Sequence, residues 1–448
     1  MNYRVYYSDP SLTTSAGFGK VAHLPCIFDM RPGYHRLGSA YLIDKGLTVW
    51  NPRASSGLGS EPESIRVPPS RQSMKNYAHW LCNFLEWADV RGIDLLTCNY
   101  VQHVHGKYQS QMQTGIWSHN AKALSPTTIN LRVQVAVDFL LWMANKGYRS
   151  SFHVPYHIIQ IKTGSATNSK GHRTKDVLVR DGKVRQNKKN LRMPTDSEVA
   201  AWLGSVYSKF GQTKGLMAET VLLTAVRRDE ASAWRVNTLP EDPAMWHIND
   251  RQKPFTQQCV RLNIKFGTKG TEYGIDHGDK IGPERSIWIP LHLAQRLHEY
   301  RQKSRIVSVA KWVKAASTTA KKKERIASSV HLFVDEMTGK RITGRQLYDT
   351  WTGVNLPFKG WSPHLGRDWW ACSILIRELN KNEYLMSLGK QAPIDLIKST
   401  AMSVINLQIQ PQLGHADQKT SMIYVQWAID MLTEGLAIKY EADSEEML

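Results

Sequence analysis

The sequence predicts a mainly α protein with a small antiparallel β-sheet, divided into a helical bundle and a larger mixed α/β domain. Three observations carry this. Apolar residues recur at three- and four-residue spacing between residues 70 and 147. Two strand-like runs, VRLNIKFG and RSIWIPL, stand inside an otherwise helical second half. A basic stretch without helical period separates the two regions. With 448 residues the chain has room for two or three domains, each burying its own core.

Residues 1–68 mix short Val/Tyr/Ile/Leu runs with Gly, Pro, Asn and Asp and close at Pro68-Pro69, which reads as short strands and turns. This N-terminal extension has no functional signature; it is a packing or arm-like segment. The bundle spans 69–155. In SRQSMKNYAHWLCNFLEWADVRG the stripe is Tyr77, Leu81, Phe84, Leu85 and Ala88, with Ser73 placed to cap and Gly92 to stop. A second helix behind Thr97 carries Val101, Val104 and Tyr108. A third, opened by Ser125-Pro126, carries Ile129, Val133, Ala136, Leu140 and Met143 and ends at Gly147.

Residues 156–192 read as a basic linker. Nine Lys/Arg fall between Lys170 and Arg192 against Asp176 and Asp181, and VLVRDGKVR has the alternation and Asp-Gly turn of a hairpin. Such a linker lies along phosphates or simply faces water. Residues 193–448 form the second domain. It opens with a capping box from Thr195 to Glu198 and continues through one helix over Val221–Trp234, two strands around Lys269, and helices to the end.

Composition narrows the function. Fifty-eight Lys+Arg against 39 Asp+Glu leave a net charge of +19, which points to a polyanionic partner, most simply nucleic acid. No run of ~18 apolar residues is present to span a membrane, and the first residues lack the basic-then-apolar order of a signal peptide. Five scattered cysteines fit a reducing cytoplasm rather than a disulfide scaffold. HExxH, Walker and GxGxxG motifs are absent, so neither a metal nor a nucleotide cofactor is expected.

Three sites in the second domain combine Arg, His and Tyr. In LLTAVRRDEASAW, Arg227 and Glu230 stand one helical turn apart; in SPHLGRDWW, His364 and Arg367 share that spacing at a helix start; in QPQLGHADQKTSMIY, His415 follows Gly414 and precedes Tyr424 by nine residues. Singly each is as ordinary as a surface ion pair or a helix cap. A phosphodiester attacked by a phenol builds charge on its non-bridging oxygens, and two fixed guanidiniums meet that charge bidentately without losing a proton.

Taken in order, Arg-x-x-Glu, His-x-x-Arg, Leu-Gly-His and a Tyr nine residues on, these motifs resemble the tyrosine recombinase (phage integrase) family over about residues 70–430. The Tyr77–Gly147 bundle, with its Ser-Pro-Thr-Thr-Ile lead, is similar to that family's core-binding domain, and LFVDEMTGKRIT is similar to the run-in to its second motif. The resemblance implies a helical core-binding (SAM-like) domain and a mixed α/β catalytic domain forming a C-shaped clamp on DNA. It implies a site-specific recombinase, of integrase or transposase type, that integrates or recombines the DNA of a mobile element. Strands would be cut and rejoined through a 3′-phosphotyrosine, independently of metal and ATP.

In the roles the resemblance implies, Arg227 and Arg367 clamp the scissile phosphate, Lys269 is the acid for the 5′-oxygen with Lys265 as alternate, His364 and His415 support, and Tyr424 is the nucleophile. The basic linker residues Lys188, Lys189 and Arg192 contact DNA. Partners would be double-stranded DNA with paired inverted half-sites, a homo-tetramer on that DNA, and an accessory DNA-bending or directionality protein, in a bacterial cytoplasm at the nucleoid. Two other readings remain: a type IB topoisomerase-like relaxing enzyme, and a non-catalytic DNA-binding protein. The chain departs from the family at Ala225, where Gly is usual, at Gly366 and Asp368, which flank the second Arg in place of Leu and His, in a longer stretch between Arg367 and His415, and in an extended hairpin after Lys269.

Overall fold

The computed structural model describes residues 2–30, 33–50, 68–163, 173–186, 191–270, 273–388, 393–415 and 420–432. The chain divides into two units, Met1–Lys188 and Lys189–Leu448.

In the first unit, β1 (Tyr3–Tyr7) pairs antiparallel with β2 (Pro25–Asp29), Val5 opposite Ile27. Two helices that the sequence pattern did not indicate follow the early turns, α1 (Pro10–Ser15) and α2 (Arg36–Gly46). The bundle helices are α3 (Arg71–Val90), a π-helical stretch Tyr100–Gln109 continuing into α4 (Ser110–Thr114), and α5 (Pro126–Asn145). The cap of α3 is Ser70 rather than Ser73: the Ser70 hydroxyl accepts from the Ser73 N–H. The α5 stripe is buried throughout, from Ile129 to Met143. Residues before the bundle enter the same core. Tyr41 is fully buried with its ring edge-on to Phe139 and Trp142, and Lys45 pairs with Asp138 at 2.9 Å.

The Asp-Gly pair does not close a hairpin. β3 (Tyr156–Thr163) pairs with β4 (Arg173–Arg180), Ile159 opposite Val177, and Asp181-Gly182 instead leads the chain off the end of β4. Turn chemistry is local and does not name the strand's partner. The exit is stitched to the bundle: Gln109 Nε2 donates to the Gly182 carbonyl at 2.6 Å, and Asn130 exchanges two hydrogen bonds with Val184. Arg180, one of the nine basic residues, is buried and donates to Gln109 and the Tyr100 hydroxyl. Lys188 and Lys189 lie outside the described residues.

The second unit begins with α6 (Asp196–Thr224), capped as expected by the Thr195–Glu198 box and kinked at Gly211. The single helix read over Val221–Trp234 is two. Ala225 adopts a left-handed conformation (φ 53°, ψ 27°) that ends α6, and α7 (Arg228–Ala233) starts afresh. A three-stranded antiparallel sheet follows, β5 (Cys259–Phe266), β6 (Gly274–Asp276) and β7 (Asp279–Pro290), in the order β5-β7-β6 with Leu262 opposite Ile287.

The helices after the sheet are α8 (Leu291–Gln302), α9 (Ser304–Lys314), α10 (Thr319–Ser328), α11 (Gly344–Thr352) and α12 (Pro363–Asn380). Then come α13 (Glu383–Leu388), α14 (Ile394–Val404), a π-helical turn Ile405–Ile409, α15 (Gln410–Leu413) and helical residues 422–432. One core surrounds Trp202, Trp351 and Trp361. Another joins Cys372, Leu375, Ile397, Ile405, Leu413 and Ala428 to Tyr424. The long stretch between Arg367 and His415 thus builds core, each fully buried aliphatic side chain contributing about 1.5–3 kcal/mol. Among the described residues no helix is long and apolar enough to cross a membrane.

Candidate functional site

The break at Ala225 is what aims Arg227. Released from α6, the chain passes through extended Arg227 (φ −69°, ψ 153°), which caps α7. Glu230, fully buried in the first turn of α7, accepts from the Arg227 backbone N–H at 2.7 Å and from Arg227 Nη1 at 2.9 Å. Oε2, which takes that backbone N–H, also accepts from Arg285 Nη2 at 2.7 Å, so β7 delivers a further guanidinium to the same place. Burial alone would raise this carboxyl, but Arg285 and Arg227 outweigh it and hold Glu230 below the usual carboxylate range.

Arg367 comes from the start of α12 and is 1% exposed. Nη1 donates to the Ala225 carbonyl at 2.6 Å and Nη2 to the Leu413 carbonyl. Burial and the neighbouring Arg227 push it down to about 10, which leaves it charged at neutral pH. Gly366 beside it touches the Trp351 ring. A Cβ there would stand 2.5 Å from Trp351 Cη2, so the indole occupies the space a larger residue would fill.

The Leu-Gly-His segment is clamped from both sides. Gln412 Nε2 donates to the carbonyls of Thr224 and Trp288, and its Oε1 accepts from the Trp288 N–H. Gly414 ends α15 in the left-handed region (φ 60°, ψ 49°), where any Cβ would lie 2.8 Å from Arg285 Cδ. Its carbonyl accepts from Arg227 Nη2 at 3.2 Å. His415 Nδ1 meets the Ser421 hydroxyl at 3.0 Å. Burial, then Arg367, Arg227, His364 and Arg285 push His415 down to about 4, so the imidazole is neutral at pH 7.

Tyr424 is 2% exposed and its ring lies parallel to the His415 imidazole, with centroids 6.3 Å apart and planes 11° apart. The phenol donates to Asp368 Oδ1 at 2.7 Å. Burial and Asp368 raise its pKa well above that of an ordinary tyrosine.

Four of the residues singled out in the sequence therefore converge: Arg227, Arg367, His415 and Tyr424. His364, one turn before Arg367, is exposed at their edge and acts on His415 through its charge. Lys269 is exposed in the loop after β5, and among the described residues no hydrogen bond of the cluster reaches it; Lys265 lies over the Phe266 ring. Arg192 is exposed and stacked on Phe358 at 4.8 Å. Sequence reasoning missed Arg285, hidden in what read as a hairpin extension, and passed over Asp368 as a mere departure. Ser421 and Gln412 carried no local signal at all.

Arg227 and Arg285 thus share the buried carboxylate of Glu230 while backbone carbonyls hold Arg367, so three guanidiniums face two buried carboxylates, Glu230 and Asp368, and leave an excess of positive charge. Each guanidinium has five N–H donors, and the contacts above occupy only part of them. Among the described residues no group of three His, Cys, Asp or Glu side chains could hold a metal ion. A cavity of about 1010 Å³ lined by Trp288, Trp369, Trp370, Leu407 and Gln412 has none of the four converging residues in its walls.

The fold is similar to several solved chains. One is a XerH site-specific recombinase bound to its difH substrate, 14% identical, with 87% of this chain and 90% of that chain covered and a TM-score of 0.44. Another is the Tn1549 transposon integrase in complex with circular intermediate DNA, at 12% identity, 86% and 94% coverage and a TM-score of 0.43. A third is a lambda integrase dimer bound to a COC′ core site, at 10% identity, 86% and 94% coverage and a TM-score of 0.41. No family model and no curated protein matches the sequence.

Proposed function

We propose that this protein is a site-specific DNA recombinase that cuts and rejoins strands through a 3′-phosphotyrosine on Tyr424. The observation that carries the reading is the convergence of Arg227, Arg367, His415 and Tyr424 from segments up to 197 residues apart in sequence. A phenol with no nucleophilic task needs no cluster of guanidiniums beside it.

The scissile phosphate sits between Arg227 and Arg367, whose remaining N–H groups meet its non-bridging oxygens as charge builds there. The Tyr424 oxygen bonds to phosphorus while the bond to the 5′-oxygen breaks. Lys269 is the candidate donor of a proton to that oxygen. Because the phosphotyrosine keeps the ester energy, an incoming 5′-hydroxyl reverses the step without ATP, and the guanidiniums perform the charge neutralisation otherwise assigned to a metal. Lys188, Lys189 and Arg192 hold backbone phosphates. The assembly is a homo-tetramer on paired inverted half-sites, with an accessory DNA-bending or directionality protein, serving integration or recombination of a mobile element's DNA.

The test is trapping on a nicked suicide substrate, read as protein–DNA adduct on a denaturing gel. The wild-type protein forms the adduct; Tyr424→Phe binds the same DNA and forms none. An adduct that persists in Tyr424→Phe moves the nucleophile elsewhere, and no adduct with any duplex overturns the reading.

A further inference from the structure

We propose that Asp368 is the general base that accepts the Tyr424 proton as the phenol attacks phosphorus. This rests on the reading of Tyr424 as nucleophile and goes beyond it, because that reading leaves the fate of the proton open.

A base must lie within hydrogen-bond reach of the proton it takes. Asp368 Oδ1 accepts the phenol O–H at 2.7 Å, from a carboxyl only 8% exposed. His415, the nearest imidazole, is the poorer candidate. Its ring is parallel to the tyrosine ring with centroids 6.3 Å apart, and the Tyr424 hydroxyl gives its hydrogen bond to Asp368 rather than to the imidazole. Nδ1 is engaged with Ser421, and a pKa pushed down to about 4 makes the ring a weak base. Two other titratable groups act on Tyr424 from α12. Arg367 is a cation and accepts nothing. Cys372 carries a thiol that burial, with Asp368, keeps protonated.

The energetics agree. Moving a proton from a resting phenol to a carboxylate is uphill, and burial makes this phenol still less acidic. As the Tyr424 oxygen bonds to phosphorus its acidity rises steeply, and transfer to Asp368 becomes downhill within the transition state. The balance is complete: the phosphorus–Tyr424 bond forms, the phosphorus–O5′ bond breaks, the phenol proton passes to Asp368, and the 5′-oxygen leaves as a hydroxyl with a proton from Lys269. In the return step the protonated Asp368 gives its proton back to the departing phenol oxygen. Placing an acidic residue directly after the second Arg thus exchanges a cation-forming side chain for a proton acceptor on the nucleophile.

The experiment measures adduct formation by Asp368→Asn on suicide duplex and on the same duplex with sulfur bridging to the 5′-carbon, whose leaving group departs without a proton. Asp368→Asn is expected to bind DNA as wild type does and to form adduct about 10²–10⁴-fold more slowly. Its rate should rise with pH, without the low-pH limb that protonation of the carboxylate gives the wild type. The sulfur substrate should not restore it, whereas formate should partly restore Asp368→Ala. Wild-type speed and pH profile in Asp368→Asn overturn the proposal, as does full rescue by sulfur, which would place the defect at the leaving group. The unaltered protein supplies a second measurement that needs no variant to fold. On the sulfur substrate the phenol proton is the only one in flight, so the low-pH limb and a solvent deuterium isotope effect should persist; loss of both overturns the base. Failure of the wild type to form any adduct overturns the reading of Tyr424 itself.

Discussion

Arg367 donates from Nη1 to the carbonyl of Ala225 at 2.6 Å, across 142 residues of chain. The deepest guanidinium of the site is therefore held by a backbone carbonyl whose direction depends on a left-handed residue. That conformation costs an L-residue about 1–2 kcal/mol, a cost that Gly would not carry.

Ala225→Gly relieves the left-handed strain but loosens the unfolded chain by about 0.5–1 kcal/mol, so stability should stay level or rise by up to about 1.5 kcal/mol. Ala225→Val places a β-branched side chain at positive φ in a fully buried site. Strain and overpacking together should cost about 2–4 kcal/mol. Melting curves of the two variants check the pair. Equal melting temperatures would mean the left-handed turn is not maintained in solution.

Glu230 is the pivot of the charge cluster, since one buried carboxylate orients both Arg227 and Arg285. Its folded pKa is depressed below the unfolded value. The stability it contributes is accordingly full above the unfolded pKa of about 4.3 and is lost as pH falls through the folded one. Glu230→Gln should be less stable than wild type at pH 7, because Arg227 and Arg285 lose the counter-charge they share. The two proteins should converge in strong acid. Denaturant titrations at several pH values measure this; a gap that stays constant into acid would mean that charge is not what Glu230 supplies.

How much of this was legible before the fold was known depends on how local each signal is. The stripe Ile129, Val133, Ala136, Leu140 and Met143 is a one-helix pattern, and it is buried as expected. The Thr195–Glu198 box spans three residues and caps α6 as expected. The convergence of Arg227, Arg367, His415 and Tyr424 was legible only through the order of their motifs. Nothing local marks Arg285, whose role arises when β7 passes Glu230 fifty-five residues away in sequence. Asp368 looked like a substitution at an unimportant position because its partner lies 56 residues further on. The helix break at Ala225–Arg227 escaped notice because Ala is a good helix former and the tertiary contacts of its carbonyl override that propensity.

Charge neutralisation by guanidiniums leads to a prediction about cofactors. Adduct formation should proceed in EDTA and without nucleotide. Arg367→Ala should lower its rate by at least about 10²–10³, the scale of losing one preorganised donor to a developing oxyanion. Arg367→Lys should rescue little, since an ammonium cannot span both the Ala225 and Leu413 carbonyls and still reach a phosphate. Abolition of cleavage by EDTA would require an ion that these arginines do not replace.

The depressed pKa of His415 gives a titration that reports site occupancy. Burial and the cations Arg367, Arg227 and Arg285 hold it at about 4 in the free protein, below the ordinary value of about 6.5. The unfolded chain therefore takes up a proton first as pH falls through this window, and the protein should lose stability progressively between the two values. A phosphodiester seated between the arginines offsets their charge, so His415 should titrate higher in the DNA complex than in the free protein. Affinity for DNA should then increase as pH falls through the interval between the free and bound values, with a proton taken up on binding. Imidazole NMR shifts with and without duplex, and calorimetry in buffers of different ionisation enthalpy, measure the two sides of this linkage. His415→Asn should abolish the proton uptake while leaving Arg227 and Arg367 to bind the phosphate. A free His415 that titrates near 6.5, or a value that DNA leaves unmoved, would show that the imidazole does not share its site with the phosphate.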